Sequence, residues 1–406
     1  AFTANGLVVH NTEKVMSSYG RSFFNPMYIA GDVTPFVPNY NRELTEPLVL
    51  PALLPNLFFN GASGIGVGSR TSIPAFTPPS VLGVMIDMLK KVKLEPRDFA
   101  KRLKFYEQWG GYVDTSKREV RKQILELMQN TSGSVEWCST YEEDRAKKSI
   151  SITRFASGIN ILGVVDRLKQ MPEVVSVAVI DAPVTYRINC KQTLNYTEFD
   201  AFVAKLDKMI TCTHSYSITV TERLPVEESG PDELHLSRDD YQVAFYQMTI
   251  PQLFVKWLRW RIQLEASSLA YRIGLSKKRI AFLRLMILVY DNLDFVIATI
   301  RTKENPKPIL MKRLKITEEQ VEQILERKLR QLSKLSYQDL KAKLAAEKQN
   351  MAQLEKRAAN PRGEVLAFLE SAKAKFKQEQ TEFKAMIWTL PEIKERDASE
   401  IDGSQD

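Results

Sequence analysis

His10, Asn11 and Thr12 stand in a row behind a short apolar segment (Phe2, Leu7, Val8, Val9), and each has a part to offer in cutting a peptide bond. The Asn11 side-chain amide can cyclise onto its own backbone carbonyl and break the Asn11–Thr12 bond. His10 can protonate the leaving group, and the Thr12 hydroxyl is a nucleophile able to carry an incoming acyl chain. The same residues also read as an ordinary strand in which Asn5-Gly6 makes a turn.

A second segment with chemical content runs from residue 35 to residue 74. Pro35, Pro38, Pro47, Pro51 and Pro55 exclude a regular helix, so loop with short extended pieces is expected. Gly61, Gly64, Gly66 and Gly68 follow, and there the backbone can come close to a partner. The segment has neither a dinucleotide fingerprint nor a Gly-Lys-Ser/Thr phosphate loop. It ends in Ile73-Pro74, with Arg70 just before; Arg70 and Lys14 are candidate phosphate contacts.

The elements that must position these residues are mostly helical toward the carboxyl end. Pro79 opens a helix carrying Val81, Met85, Ile86 and Leu89. Residues 110–250 read as mixed α/β: Ser149–Phe155 and Val174–Ile180 are strand-like, Tyr216–Glu222 alternates, and Ile161–Met171 and Phe199–Ile210 are helical. Residues 225–240 are acidic and turn-rich, an expected exposed loop. Between Pro251 and Pro306 there is no proline, and Leu258, Ile262, Leu269, Ile273, Ile280, Leu283 and Ile287 form a coiled-coil stripe with Gly274 as a candidate bend. Thr317-x-x-Gln320 is a capping box with Ile316 and Val321 as its staple. Ser336-x-x-Asp339 opens another helix with Leu340, Leu344, Glu347, Met351, Leu354 and Ala358 in heptad positions. Asn360-Pro361 ends it, and a further helix carries Val365, Leu366, Leu369 and Phe376.

Composition narrows the function classes. The 406 residues carry a formal charge of +8 and a pI of about 9.1, which suits a polyanionic partner. The excess concentrates in residues 251–350, with 21 Lys/Arg against 10 Asp/Glu, although a basic helical region is often only a solvated face. Cys138, Cys190 and Cys212 lack zinc or disulfide spacing, and His10, His214 and His235 are too scattered for a metal site. No apolar run is long enough to span a membrane, and no signal peptide is present, so a cytoplasmic protein is expected.

Residues 46–74 closely resemble the DNA-cleavage subunit of type IIA topoisomerases: gyrase A, its topoisomerase IV counterpart and the phage medium subunit. The likeness begins at Thr12-Glu13, passes through Phe36-Val37-Pro38-Asn39-Tyr40, and returns at Ile316–Leu325. The string ending His10-Asn11 is similar to the carboxyl end of an intein. In the topoisomerase family the nucleophilic tyrosine directly precedes a Thr-Glu pair; here Asn11 stands there, so the resemblance implies an intein inserted just after that tyrosine. The tyrosine would then come from an N-terminal extein segment; a gapped match would make Tyr19 or Tyr28 the nucleophile instead.

The resemblance implies an α+β fold. Its parts would be residues 1–11 as intein remnant, 12–109 as the rest of a winged-helix DNA gate and the start of the tower, 110–250 as tower, 251–390 as coiled-coil arm and C-gate, and 391–406 as an acidic disordered tail. It implies an ATP-dependent type II topoisomerase subunit that relaxes and decatenates double-stranded DNA. No DNA-cleaving catalytic residue would lie in the chain itself. Mg²⁺ and ATP would be bound by a partner ATPase/TOPRIM subunit, with a homodimer formed through the C-gate. Ile73-Pro74 would be the apolar wedge that enters the DNA; without the resemblance, Ile73 is a core residue beside a proline turn. A non-catalytic helical DNA-binding scaffold is the alternative from another class. A third reading keeps only protein splicing, which would need a separate intein half.

Overall fold

The structure is a computed structural model that describes residues 2–4, 7–9, 33–34, 36–38, 43–47, 51–66, 69–106, 111–181, 184–225, 241–325 and 337–378. In chain order the elements are β1 (Phe2–Ala4), β2 (Leu7–Val9), β3 (Phe36–Pro38), β4 (Thr45–Pro47), α1 (Asn56–Asn60), β5 (Ala62–Gly66), β6 (Ser69–Ile73), α2 (Pro78–Leu89), α3 (Pro96–Arg102) and α4 (Arg118–Gln129). Then come β7 (Ser132–Cys138), β8 (Thr140–Asp144), β9 (Ser149–Arg154), α5 (Ile161–Lys169), β10 (Val174–Asp181), β11 (Val184–Cys190), α6 (Tyr196–Met209), β12 (Thr211–Ser217), β13 (Thr219–Pro225) and β14 (Tyr241–Gln247). The rest is helical: α7 (Ile250–Asp291), α8 (Leu293–Thr302), α9 (Lys307–Leu314), α10 (Glu318–Leu325), α11 (Tyr337–Ala358) and α12 (Pro361–Gln378). The acidic stretch 226–240 and the carboxyl-terminal tail lie outside the described residues.

Two antiparallel four-stranded sheets carry the middle of the chain, in the orders β5-β6-β12-β7 and β10-β11-β9-β8. The segment Tyr216–Glu222, expected as one strand, is divided between two sheets at Ile218. That residue is fully buried; its N–H donates to the Thr131 carbonyl at 2.9 Å and its carbonyl accepts from Met248 N–H at 3.1 Å. Both of its backbone groups are thus satisfied while the chain crosses from β12 to the β13–β14 ribbon. Helix α6 starts three residues before the expected Phe199. Asn195 and Glu198 make a reciprocal cap there, each side chain accepting the other's backbone N–H at 2.8 Å.

Three apolar clusters hold these elements. The second sheet buries Ile150, Ile152 and Ile188 against Val164 and Leu168 of α5 and Phe199, Phe202 and Leu206 of α6. The largest cluster gathers Phe58, Phe76, Val81, Leu82, Met85, Ile124, Leu127 and Val135 around Phe254 of α7, with Val365 and Leu369 of α12 closing it. Phe254 lies 4.0 Å from Phe58 and 5.5 Å from Phe99, centroid to centroid. The third cluster, at the far end of α7, packs Leu285, Met286 and Val289 against Val296, Leu310, Leu314, Ile316, Val321, Ile324 and Leu340.

Helix α7 links the largest cluster to the third. Its 42 residues reach about 63 Å at 1.5 Å per residue. Thr249 and Gln252 form the capping box (2.9 and 3.3 Å), and Pro251 sits in the first turn, where its missing N–H costs nothing. The helix runs unbroken through Gly274, at which a Cβ would meet no atom within 4 Å. It stops at Asn292, whose side-chain amide donates back to the Leu288 carbonyl at 2.9 Å, so the proline-free segment is two helices rather than one. The expected Thr317–Gln320 box closes α10, with bonds of 3.0 and 3.4 Å.

Helix α11 returns antiparallel along α7. Ser276 Oγ donates to Glu347 at 2.5 Å, and farther back Arg357 lies 4.0 Å from Glu265. Inside the apolar stripe, Arg261 and Glu265 form a buried ion pair at 2.9 Å, with side chains only 1% and 5% exposed. Helix α12, capped by Asn360, then docks on α2. The Arg362 guanidinium donates to the carbonyls of Met88 and Leu89, both at 2.9 Å, satisfying the open carboxyl end of that helix.

Removing one partner of a buried pair leaves an uncompensated charge. Arg261→Met is therefore expected to destabilise the fold by about 3 kcal/mol, since Arg357, 4.0 Å from Glu265, offsets only part of the lost pairing. Arg261→Met combined with Glu265→Leu should recover most of that loss. Urea unfolding of the wild type and both variants measures it, and an equal loss in the double variant would contradict the account.

A candidate DNA interface

The glycine-rich segment folds as a hairpin, β5 against β6, in the register Ala62↔Ile73, Ser63↔Ser72, Gly64↔Thr71, Ile65↔Arg70 and Gly66↔Ser69. Its base is fixed. Gly61 holds φ +66°, and a Cβ there would lie 2.6 Å from the Ile73 carbonyl oxygen, so only glycine lets the strand start beneath its partner. Ser72 pairs with Ser217 of β12, and Thr71 Oγ donates to the Ser217 carbonyl at 3.3 Å.

The hairpin's two ends differ sharply in environment. Ile73, expected as the wedge, is 7% exposed and belongs to the largest apolar cluster, and Pro74 beside it is buried. An isoleucine held there cannot enter a base step without unpacking the core. Ile65, nearer the tip, is 88% exposed, the most exposed large apolar side chain among the described residues. Across the ladder from it stands exposed Arg70, so an apolar point and a cation share the free end. Reading the sequence missed Ile65. The available signal was its setting between Gly64 and Gly66, which leaves it no bulky neighbours to pack against.

His10, Asn11, Thr12 and Lys14, with Tyr19 and Tyr28, lie outside the described residues. The backbones of β1 and β2 pair as a two-stranded antiparallel ribbon just ahead of them.

Burial and local pairing set the titration of the remaining chemistry-bearing groups. Burial is the chief cause raising the Cys138 thiol above its ordinary value, and it pushes Cys190 up to about 11; both are poor nucleophiles. Burial likewise raises the phenols of Tyr112 and Tyr141. Lys117 is held protonated mainly by its hydrogen bond to Glu136 at 3.0 Å. Among the described residues, no three His, Cys, Asp or Glu side chains converge to hold a metal ion, and no helix is long and apolar enough to cross a membrane.

An antiparallel-sheet and helix assembly that aims a glycine-flanked apolar point away from a basic chain has the character of a nucleic-acid-handling protein. Residues 12–370 match the family model for the A subunit of DNA gyrase/topoisomerase IV, and the chain belongs to that family. It is 27% identical over 343 residues to the DNA topoisomerase 4 A subunit of Salmonella typhimurium, covering 80% of this chain and 41% of that protein. It is 28% identical over 343 residues to the Escherichia coli K12 protein of the same name, with the same coverage. Against the Neisseria gonorrhoeae protein it is 28% identical over 317 residues, or 74% of this chain and 40% of the relative. The chain thus spans about two fifths of the length of these curated relatives.

The two isoleucines of the hairpin should separate cleanly. Ile73→Ala is expected to cost about 2–5 kcal/mol of stability, whereas Ile65→Ala should stay within about 0.5 kcal/mol of the parent. Thermal and urea unfolding compare them directly. A large loss on truncating Ile65 would mean that its side chain is packed.

Proposed function

We propose that residues 12 onward are part of the breakage-reunion subunit of a type II DNA topoisomerase, and that Ile65 is its DNA wedge. The family match over residues 12–370 carries the first half, and the 88% exposure of Ile65 opposite Arg70 carries the second. Inserting an apolar side chain costs a few kcal/mol of unstacking, regained through contacts that bent DNA permits. Ile65 suits that task because its β-branched side chain is stiff and its hairpin is anchored at Gly61, Thr71 and Ser72. Arg70 meets the adjacent phosphate and holds the register.

In this reading the cleaving tyrosine attacks a phosphodiester, becomes joined to the DNA 5′ phosphate, and is displaced again on resealing. It comes from the segment that precedes Thr12 once splicing is complete. Mg²⁺ and ATP would be held by a partner ATPase/TOPRIM subunit, and the metal would supply stabilisation of charge on the phosphate. The present residues bend and position the duplex. The sheets built on β5 to β12 form the tower, α7 and α11 the arm, and the cluster of α8, α9 and α10 the dimerising C-gate. Relaxation and decatenation in the host cytoplasm, as the relatives' name topoisomerase 4 suggests, is the proposed outcome. Phage coding remains part of the same proposal.

Protein splicing accompanies this function. The family match starts at Thr12, which supports the reading that residues 1–11 are the carboxyl end of an intein. His10, Asn11 and Thr12 then perform the final cleavage and acyl transfer.

With the tyrosine-bearing segment and the ATPase subunit restored, Ile65→Ala should lower cleavage and bending of a fluorophore-paired duplex by tenfold or more, with Arg70→Ala intermediate. Unchanged bending by Ile65→Ala would remove the wedge assignment while leaving the family membership intact. For splicing, Asn11→Ala supplied with the complementary intein half should yield no product beginning at Thr12 by mass spectrometry. Release of that product from the variant would refute the cyclisation step.

A further inference from the structure

A cavity of about 780 Å³ opens between α3, residues 103–106, 111–113 and 115, α4, and Trp137 of β7 and Arg154 of β9. That is ample for a ligand the size of a mononucleotide. Five cations line it: Arg97, Lys101, Lys104, Arg121 and Arg154. No carboxylate belongs to its described lining. Cations just outside are neutralised in the ordinary way: Arg102, beside Lys101 on α3, pairs with Asp87, and Lys117 pairs with Glu136. Among the described residues no carboxylate pairs with Arg97, Lys101, Lys104 or Arg154. Arg121 is held by the carbonyls of Thr115 and Ser116 at 2.9 and 2.5 Å, which fixes its place but leaves its charge. Gathering like charges in one concavity raises the local positive potential and concentrates anions there.

The floor of the cavity is aromatic. Trp137 donates its indole N–H to the Tyr216 hydroxyl at 3.1 Å, and Phe105 stands edge-on to it at 5.9 Å, so the ring is held in one orientation. Tyr112 is 46% exposed, and its backbone is locked by two 2.8 Å bonds to Cys138. A simple anion would leave this wall unused, and an apolar ligand would leave five charges uncompensated. Duplex DNA offers phosphates, but its bases are stacked on each other and present no free face.

We propose that this cavity binds a nucleoside polyphosphate, its base against the exposed ring of Tyr112 and its phosphates among the five cations. Base–aromatic stacking and multiple charge-assisted phosphate bonds then act together. The site is on this chain, separate from the hairpin and from any nucleotide site on a partner subunit.

Equilibrium dialysis with ATP, using the full chain without any ATPase subunit, tests it independently of topoisomerase activity. ATP should bind at least tenfold more tightly than adenosine or tripolyphosphate. Lys101→Ala with Lys104→Ala should weaken ATP at least tenfold, while Lys343→Ala with Lys348→Ala on α11 should leave it unchanged. Tyr112→Ala should weaken ATP but not tripolyphosphate, and Tyr112→Phe should restore it. Equal binding of ATP and tripolyphosphate, or equal loss in the α11 control, would reduce the effect to bulk charge and overturn the proposal. Displacement of ATP by a short duplex at stoichiometric concentration would assign the cleft to DNA instead.

Discussion

The packing of Phe254 against Phe58 and Phe99 is the contact on which the rest depends. It seats the amino end of a helix about 63 Å long in the same core that anchors the hairpin base, so the arm and the hairpin share one rigid foundation. If that seat moved, both would move together. The helix then leaves the core, and only its far end finds a second apolar cluster. Between the two lies the Arg261–Glu265 pair, where an unbroken apolar stripe would have been simpler. Arg357 and Glu364 extend the charges across α11 and α12, with Arg357 Nε 2.7 Å from Glu364. Such a network, buried at Arg261 and Glu265 and half-exposed at Arg357 and Glu364, ties three helices together by charge at one level of the arm.

The hairpin shows how exposure in one place rests on burial in another. Burying Ile73, pairing Ser72 with Ser217 and excluding a Cβ at Gly61 together immobilise the base. Rigidity at the base is what makes an apolar tip useful, because a loose tip would fold back onto the surface and lose its reach. A functional group held on a fixed element in this way loses little conformational freedom when a ligand arrives.

Much of this was legible from residue patterns where the signals are local. The Thr317–Gln320 box, the strands at Ser149 and Val174, and the end of the long helix pair at Asn360-Pro361 all follow from neighbouring residue types. The break at Ile218 was not legible, because alternation of Tyr216, Ile218 and Val220 continues through it and only the distant partners Thr131 and Met248 decide where the strand divides. Nor was the stop at Asn292, since no proline or glycine stands between Gly274 and Pro306 to mark it. The different settings of the two isoleucines were hidden for a related reason: Ile73 and Ile65 are equally apolar, and only the surrounding fold makes one a core residue and the other a tip. The cavity below Tyr112 draws on α3, α4, β7 and β9, which no sequence motif connects.

Helix α12 brings the chain back to α2, and with it back into the cluster that α7 left more than a hundred residues before. Everything between Leu258 and Val365 is therefore an excursion from a core that closes only when the chain returns, with both of its ends pinned in the same cluster. Modularity follows. The two strokes of the arm could be lengthened or shortened by matched heptads without rearranging the foundation, provided the Arg261–Glu265–Arg357 junction stays in place. Reach, in this architecture, is a dimension that descent can adjust separately from grip.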